Sequence, residues 1–160
     1  MRIRDVLDPR RVLLDVTGTT KLEILAQLVA TLALTHPDID RTALLENLLE
    51  RERTSTTGIA DGIAIPHARH VIGDEVVSVF GRSLRGVNFD SIDGEPTRIF
   101  FMLVSPESQP ALHLRWLAHL AVLLRDERFR RSLLEASTPD ALIGAIEGAE
   151  HALAAAKGVP

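Results

Sequence analysis

The stretch Thr54-Ser55-Thr56-Thr57-Gly58-Ile59-Ala60-Asp61-Gly62-Ile63-Ala64-Ile65-Pro66-His67-Ala68-Arg69 decides how this chain is read. It begins polar and rich in small residues, passes through the apolar triplet Ile63 to Ile65, and reaches a proline followed at once by a histidine. Pro66 fixes its own φ and drives Ile65 toward extended backbone, which puts His67 just past a strand end. Imidazole titrates near pH ~6.5, so His67 is the side chain of this stretch suited to act as nucleophile, base or metal ligand near neutrality. Gly58 and Gly62 permit close backbone approach. An isolated histidine after a strand is often a plain polar loop residue. The glycines, threonines and serine around this one favour a group-binding loop, and the combination suits a small anion such as a phosphoryl group.

Outward from that stretch, helical and extended patterns alternate. Val12 to Val16 reads as a first strand. Thr20 with Glu23 forms a capping box, and Leu22, Leu25, Leu28, Val29 and Leu32 fall on one helical face. His36-Pro37 closes that helix. Asp40 caps a second one, with Leu44, Leu45, Leu48 and Leu49 as its buried stripe. Ile63 to Ile65 and Glu75 to Phe80 read as strands, and Leu84 to Pro96 as a loop with turn signals at Arg85-Gly86 and Asp93-Gly94. Ile99 to Val104 is apolar without interruption, the pattern of a central strand covered on both faces. Pro110 opens a helix over 111–125, a short helix follows near 127–135, and Thr138-Pro139 starts the last. The class is α/β: one domain over 1–150, a mixed central sheet flanked by helices on both faces, and a frayed tail over 151–160.

The whole chain narrows the function. Its 160 residues suffice for one domain with a real core, and a net charge of −4 points to neither nucleic acid nor an anionic membrane. Cysteine is absent, which removes disulfides, thiolate catalysis and cysteine metal sites together. The start, Met-Arg-Ile-Arg-Asp-Val-Leu-Asp-Pro, lacks the apolar core of a signal peptide, and no apolar run approaches the ~20 residues of a membrane span. The expected compartment is the cytoplasm. Arg125, Arg128, Arg130 and Arg131 lack interleaved aromatics and are diluted by Asp126 and Glu127, so they read as a solvated helix face.

Arg51-Glu52 followed by Ser-Thr-Thr-Gly-Ile-Ala-Asp-Gly-Ile-Ala-Ile-Pro-His-Ala-Arg resembles the phosphorylation motif of the fructose/mannitol/nitrogen class of EIIA proteins. These belong to the bacterial phosphoenolpyruvate-dependent phosphotransferase system. The resemblance extends to Thr20-Lys21 through Leu28, to Gly86-Val-Asn-Phe with Asp93-Gly94, to Ile99 through Pro106, and to His113-Leu114 with Leu117 and Leu120. It implies the EIIA fold and makes His67 the phosphorylated residue, charged by the phosphocarrier HPr or a nitrogen-branch homologue. It makes His113 a second active-site histidine and Arg51 a phosphate-pairing arginine, using the planar fork that lysine lacks. Spacing alone leaves His113 open as a core histidine on the stripe of Trp116, Leu117, Leu120 and Leu124. Arg53 is expected to be a solvated neighbour, and Arg69 and His70 to shape the rim. Ala60 and Ala68-Arg69 depart from the family pattern, as does Ser105-Pro-Glu-Ser-Gln-Pro before His113, and the last of these bears on the partner surface.

Ser55, Thr56, Thr57 and Gly58 are the expected phosphate-binding loop, through hydroxyls and backbone N–H groups. Transfer between histidines requires no cofactor, metal or nucleotide. The motif is nearer to nitrogen-type and fructose-type members than to the mannitol type. It favours a nitrogen-type regulatory EIIA that binds target proteins. A sugar-specific EIIA passing phosphate to an EIIB is the alternative, and a phosphotransfer-silent binding module of the same fold is a third reading. A metal hydrolase built on His67, His70 and His113 is disfavoured, because His-Ala-Arg-His off a helix is not a zinc spacing and no carboxylate stands as a ligand.

Overall fold

The helix starts are closed by the side chains the sequence offers. In this computed structural model, which describes residues 1–158, α1 spans Lys21–Ala33 and α2 spans Arg41–Thr54. The Thr20 hydroxyl accepts from the Glu23 N–H at 3.2 Å, and the Glu23 carboxylate reaches back to the Thr19 N–H at 2.7 Å, a capping box displaced by one residue. Asp40 accepts from the Ala43 N–H at 3.0 Å. α3 covers Pro110–Leu123 with proline in its first turn, and α4 covers Glu127–Glu135 behind the Asp126 cap. α5 runs Pro139–Ala156, with Thr138 accepting from the Ala141 N–H at 3.0 Å.

Among the described residues five strands form one mixed sheet: β1 (Val12–Leu13), β2 (Ile63–Ala64), β3 (His67–His70), β4 (Val77–Val87) and β5 (Thr97–Pro106). The order is β1-β4-β5-β2, and β3 lies further along the same side of β5 as β2. Among these five strands only the β4–β5 pair is antiparallel. β5 is the axis of the molecule. Its alternate residues Ile99, Phe101 and Leu103 join one core with Trp116, Leu120, Leu133 and Ile146. Phe100, Met102 and Val104 join the other with Ile24, Leu28, Leu44 and Leu48. A period-two strand buried on both faces is what its unbroken apolar run requires. Each fully buried phenylalanine or leucine contributes about 1.5–3 kcal/mol. The helices therefore divide into a layer of α1 and α2 and a layer of α3, α4 and α5, with the sheet between them.

Four expectations change. The first strand is only Val12–Leu13; the backbone bends after it, and Val16 rejoins through its N–H to the Arg82 carbonyl at 2.9 Å. The strand expected over Glu75 to Phe80 starts at Val77 and continues to Val87, taking the first residues of the expected 84–96 loop. Its polar end is held by Arg82, buried, whose guanidinium donates to the carbonyls of Leu14, Leu133, Leu134 and Ala136. A register shift between Arg82 and Val87, with Gly86 at φ 79°, completes the disguise. In α1, Leu22 is 52 % exposed and Ile24 takes the inward place. The tail set apart at 151 is helical through Ala156, with Leu153 packed on the core. The last two residues of that tail lie outside the described residues.

Candidate functional site

Pro66 interrupts the edge of the sheet between β2 and β3, and His67 is the first residue after the break. The Nδ1 of His67 lies 2.7 Å from the Ile65 carbonyl oxygen. A carbonyl only accepts, so the ring proton sits on Nδ1 and Nε2 carries a free lone pair. Arg51, in the last turn of α2, donates its Nε–H to that lone pair at 3.1 Å. Its Nη1 donates to the Ser55 carbonyl at 2.9 Å, which holds the guanidinium in place. Burial lowers the His67 pKa below its ordinary value and the charge of Arg51 adds to that, while the hydrogen bond to Ile65 opposes it. His67 is therefore a neutral imidazole near pH 7, with its proton on Nδ1 and its lone pair on Nε2.

His113 faces it from the first turns of α3. The two rings stand 5.3 Å apart between centroids and are tilted by 52°. His113 is buried, and its Nδ1 is 2.8 Å from the Ser105 hydroxyl at the end of β5. Burial first, then repulsion from His67, Arg69 and Arg51, lowers its pKa to about 4. Both histidines are thus neutral near pH 7. They open onto a cleft of about 800 Å³ whose walls also include Arg51, Arg69, Glu50, Glu107 and Asn47, with Pro110 and Leu114 as an apolar lip. Leu114 is 65 % exposed beside the buried His113. His70, also buried, turns its Nδ1 to the Asn47 amide at 3.0 Å and supports the floor.

The residues of the expected phosphate-binding loop bond within the protein. Thr56 donates its hydroxyl to the Phe89 carbonyl at 2.9 Å, and the Gly58 N–H is taken by the Thr56 oxygen at 3.1 Å. The Thr57 N–H and hydroxyl both go to the buried Glu52 carboxylate, which also holds Lys21 Nζ at 3.0 Å. Ser55 takes part through its carbonyl, as the support of Arg51. None of the four lines the cleft. Their donors fix the loop to α2 and to the segment after β4. The loop in turn fixes the carbonyl that orients His67, because the Ile65 N–H donates to the Thr57 carbonyl at 3.1 Å.

The structure brings His67, His113 and Arg51 together, and leaves Arg53 outside, exposed and paired with Glu50. His119 pairs with Glu150 at 2.7 Å, away from the cleft. Arg130 departs from a purely solvated face, since its guanidinium closes the end of α3 on the carbonyls of Leu124 and Arg125. Sequence reasoning missed Glu52 and Ser105. Glu52 stands inside the quoted motif, where an acidic side chain between two arginines was the available signal. Ser105 had none, because its partner comes from another element.

Comparison with known proteins identifies the family. The family profile described as "Phosphoenolpyruvate-dependent sugar phosphotransferase system, EIIA 2" matches residues 5–149. A fructose-specific EIIABC component of Bacillus subtilis is 37 % identical over 91 % of this chain, which spans 23 % of that protein. A nitrogen regulatory protein of Pseudomonas aeruginosa is 34 % identical, covering 89 % of this chain and 92 % of its own length. Among solved structures, nitrogen regulatory protein IIA-Ntr of Neisseria meningitidis superposes with a TM-score of 0.83 at 28 % identity, over 90 % of this chain and 98 % of its own. IIA mannitol of Escherichia coli shares the fold, with a TM-score of 0.71 at 18 % identity over 87 % of this chain and 97 % of its own. The chain belongs to the EIIA 2 family of the phosphoenolpyruvate-dependent sugar phosphotransferase system.

Proposed function

We propose that this protein is a histidine phosphoryl carrier that accepts phosphate on Nε2 of His67 from phospho-HPr or a nitrogen-branch homologue. The observation that carries the reading is the lone pair of Nε2, unprotonated, facing an open cleft and flanked by a guanidinium. In the step, that lone pair attacks the phosphorus of the donor's phosphohistidine. A new N–P bond forms, the donor's N–P bond breaks, and its electron pair returns to the donor nitrogen. No proton moves at His67. The ring, now bonded to phosphorus on Nε2 and to hydrogen on Nδ1, carries positive charge that the Ile65 carbonyl stabilises. Arg51 loses its lone-pair partner in the same step, and its Nε–H turns to a phosphoryl oxygen. His113, neutral at this pH, offers a hydrogen bond to another. Phosphoryl transfer asks chiefly for alignment and charge neutralisation, and these groups supply both.

Within that chemistry the nitrogen-type regulatory role is favoured, with targets selected by phosphorylation state. The added negative charge beside the apolar lip of Pro110 and Leu114 changes affinity in one state only. The greater likeness to IIA-Ntr than to IIA mannitol supports it. The fructose-specific relative supports a second reading, in which His67 hands its phosphate to an EIIB for sugar uptake. We place either role in the cytoplasm; among the described residues no helix is long and apolar enough to cross a membrane. The test is loading from phosphoenolpyruvate through enzyme I and HPr, followed by intact mass. One phosphate on the wild type and none on His67→Ala is expected, and a phosphate on His67→Ala refutes the site. Adding a fructose-type EIIB then separates relay from regulation, because only a relay discharges to it.

A further inference from the structure

Ser105 has no part in the chemistry above, yet it holds the buried side of the second histidine. It is fully buried at the end of β5, and the Nδ1 of His113 is the partner its hydroxyl finds among the described residues. Among the described residues Nε2 of His113 has no partner, and it is not sealed from solvent, since none of their buried side-chain nitrogens or oxygens is left without a hydrogen bond. The ring therefore has a closed end at Ser105 and an open end toward the cleft and His67.

Two arrangements of hydrogens fit the 2.8 Å contact. If Nδ1–H donates, the serine oxygen is satisfied but its own proton is left in an apolar interior with no acceptor. An orphaned buried donor is costly compared with a made hydrogen bond. If the hydroxyl donates to Nδ1, every buried group is satisfied, and the ring proton is on Nε2. That second arrangement points an N–H donor into the cleft, at the place where negative oxygens arrive when His67 is loaded.

We infer that Ser105 is a positioning residue: its hydroxyl donates to Nδ1 of His113 and so fixes the tautomer in which Nε2–H faces the phosphoryl group. The two histidines are then opposite in kind. The Ile65 carbonyl, a pure acceptor, makes His67 a nucleophile at Nε2; the Ser105 hydroxyl, acting as donor, makes His113 a hydrogen-bond donor at Nε2. The neutral state of His113 makes the tautomer matter, because an imidazolium would donate from both nitrogens whatever its neighbour.

This inference rests on the carrier reading for its consequence but not for its structural part, and the experiment separates the two. Long-range proton–nitrogen correlation spectra at pH 7 report which ring nitrogen of His113 carries the proton. Wild type is expected to show protonated Nε2 and a hydrogen-bonded, unprotonated Nδ1. Ser105→Ala should lose the hydrogen-bonded Nδ1 signature and load His67 about three- to tenfold more slowly, the range set by one hydrogen bond's net worth. Ser105→Thr, which keeps a hydroxyl, should restore both. Circular dichroism of each variant checks that the fold is retained. A wild-type spectrum with the proton on Nδ1 overturns the inference. So does a Ser105→Ala protein that loads at the wild-type rate, whatever its spectrum. If the wild type takes no phosphate at all, the carrier reading fails, and the spectra alone decide the role of Ser105.

Discussion

Two polar regions meet at His67, and they are built on opposite rules. Behind it lies the network of Lys21, Glu52, Thr57 and Asp90, where the carboxylate of Glu52 takes the Thr57 N–H, the Thr57 hydroxyl and the lysine together. In front lies the cleft, where, among the described residues, Nε2 of His113 has no partner and Nε2 of His67 has only a guanidinium that a better anion would draw away. The back contains more hydroxyls and looks, in sequence, more like a phosphate cradle. Its groups are already committed to one another. Competence to bind an incoming group follows from hydrogen-bonding capacity left unused, and that capacity is concentrated in front.

The sharpest way to break this contrast is to substitute the front. His67→Ala should abolish loading outright, read by intact mass. Arg51→Ala should fold normally and slow loading by about a hundredfold, as for removal of a preorganised donor at a developing charge. Arg51→Lys should recover only part of this, since lysine cannot hold the Ser55 carbonyl and a phosphoryl oxygen with one planar fork. An Arg51→Ala protein that loads at full speed would move the charge neutralisation elsewhere.

Substituting the back should act on stability first. Glu52→Ala removes a carboxylate whose side chain is 4 % exposed and leaves Lys21 with Asp90 alone. The expected cost is about 2–4 kcal/mol, seen as a fall of several degrees in Tm, with loading lowered less than in Arg51→Ala. If Glu52→Ala lost loading while keeping its Tm, the two regions would not be separable.

Acid provides a smaller, graded test. The folded pKa of His113 is about 4 against an ordinary 6.5, and those of His67 and His36 shift in the same direction. The unfolded chain then binds more protons than the folded one across that window. Stability should therefore decline as pH falls from 6.5 toward 4 and be fully present above it. His113→Gln should flatten the slope of Tm against pH without abolishing it, because His67 and His36 remain. The smallest effect belongs to Arg53→Ala, which should leave loading and Tm unchanged, as its side chain is 69 % exposed.

What could be read in the sequence follows the range of the interactions involved. Thr20, Asp40 and Thr138 cap helices through backbone groups three residues away, and each was legible. The strand break that positions His67 was legible because Pro66 beside it acts locally. β4 beyond Phe80 was not. Arg82 looks like a surface residue until the carbonyls of Leu133, Leu134 and Ala136 are brought to it from the end of α4 and the residue after it. The internal bonds of the loop at Ser55 to Gly58 were hidden for the same reason: the groups that occupy the Thr56 and Thr57 donors, Glu52 and the Phe89 carbonyl, become neighbours only through folding. Arg51 and His113 were identified by likeness to a family, because their pairing with His67 crosses 16 residues of chain in one case and joins separate elements in the other.

The break at Pro66 has one more consequence, for self-association. An uninterrupted edge strand from Ile63 to His70 would present a long row of free amides, a template for pairing with a neighbouring chain. Here the edge comes in pieces of two and four residues. The proline between them has no amide proton to offer. The outer side of the first piece is covered by the chain's own return through Gly58, bridged to Ala64. The residue that aims the histidine thus also blunts the margin of the sheet, and allows an imidazole to sit at that border without inviting aggregation there.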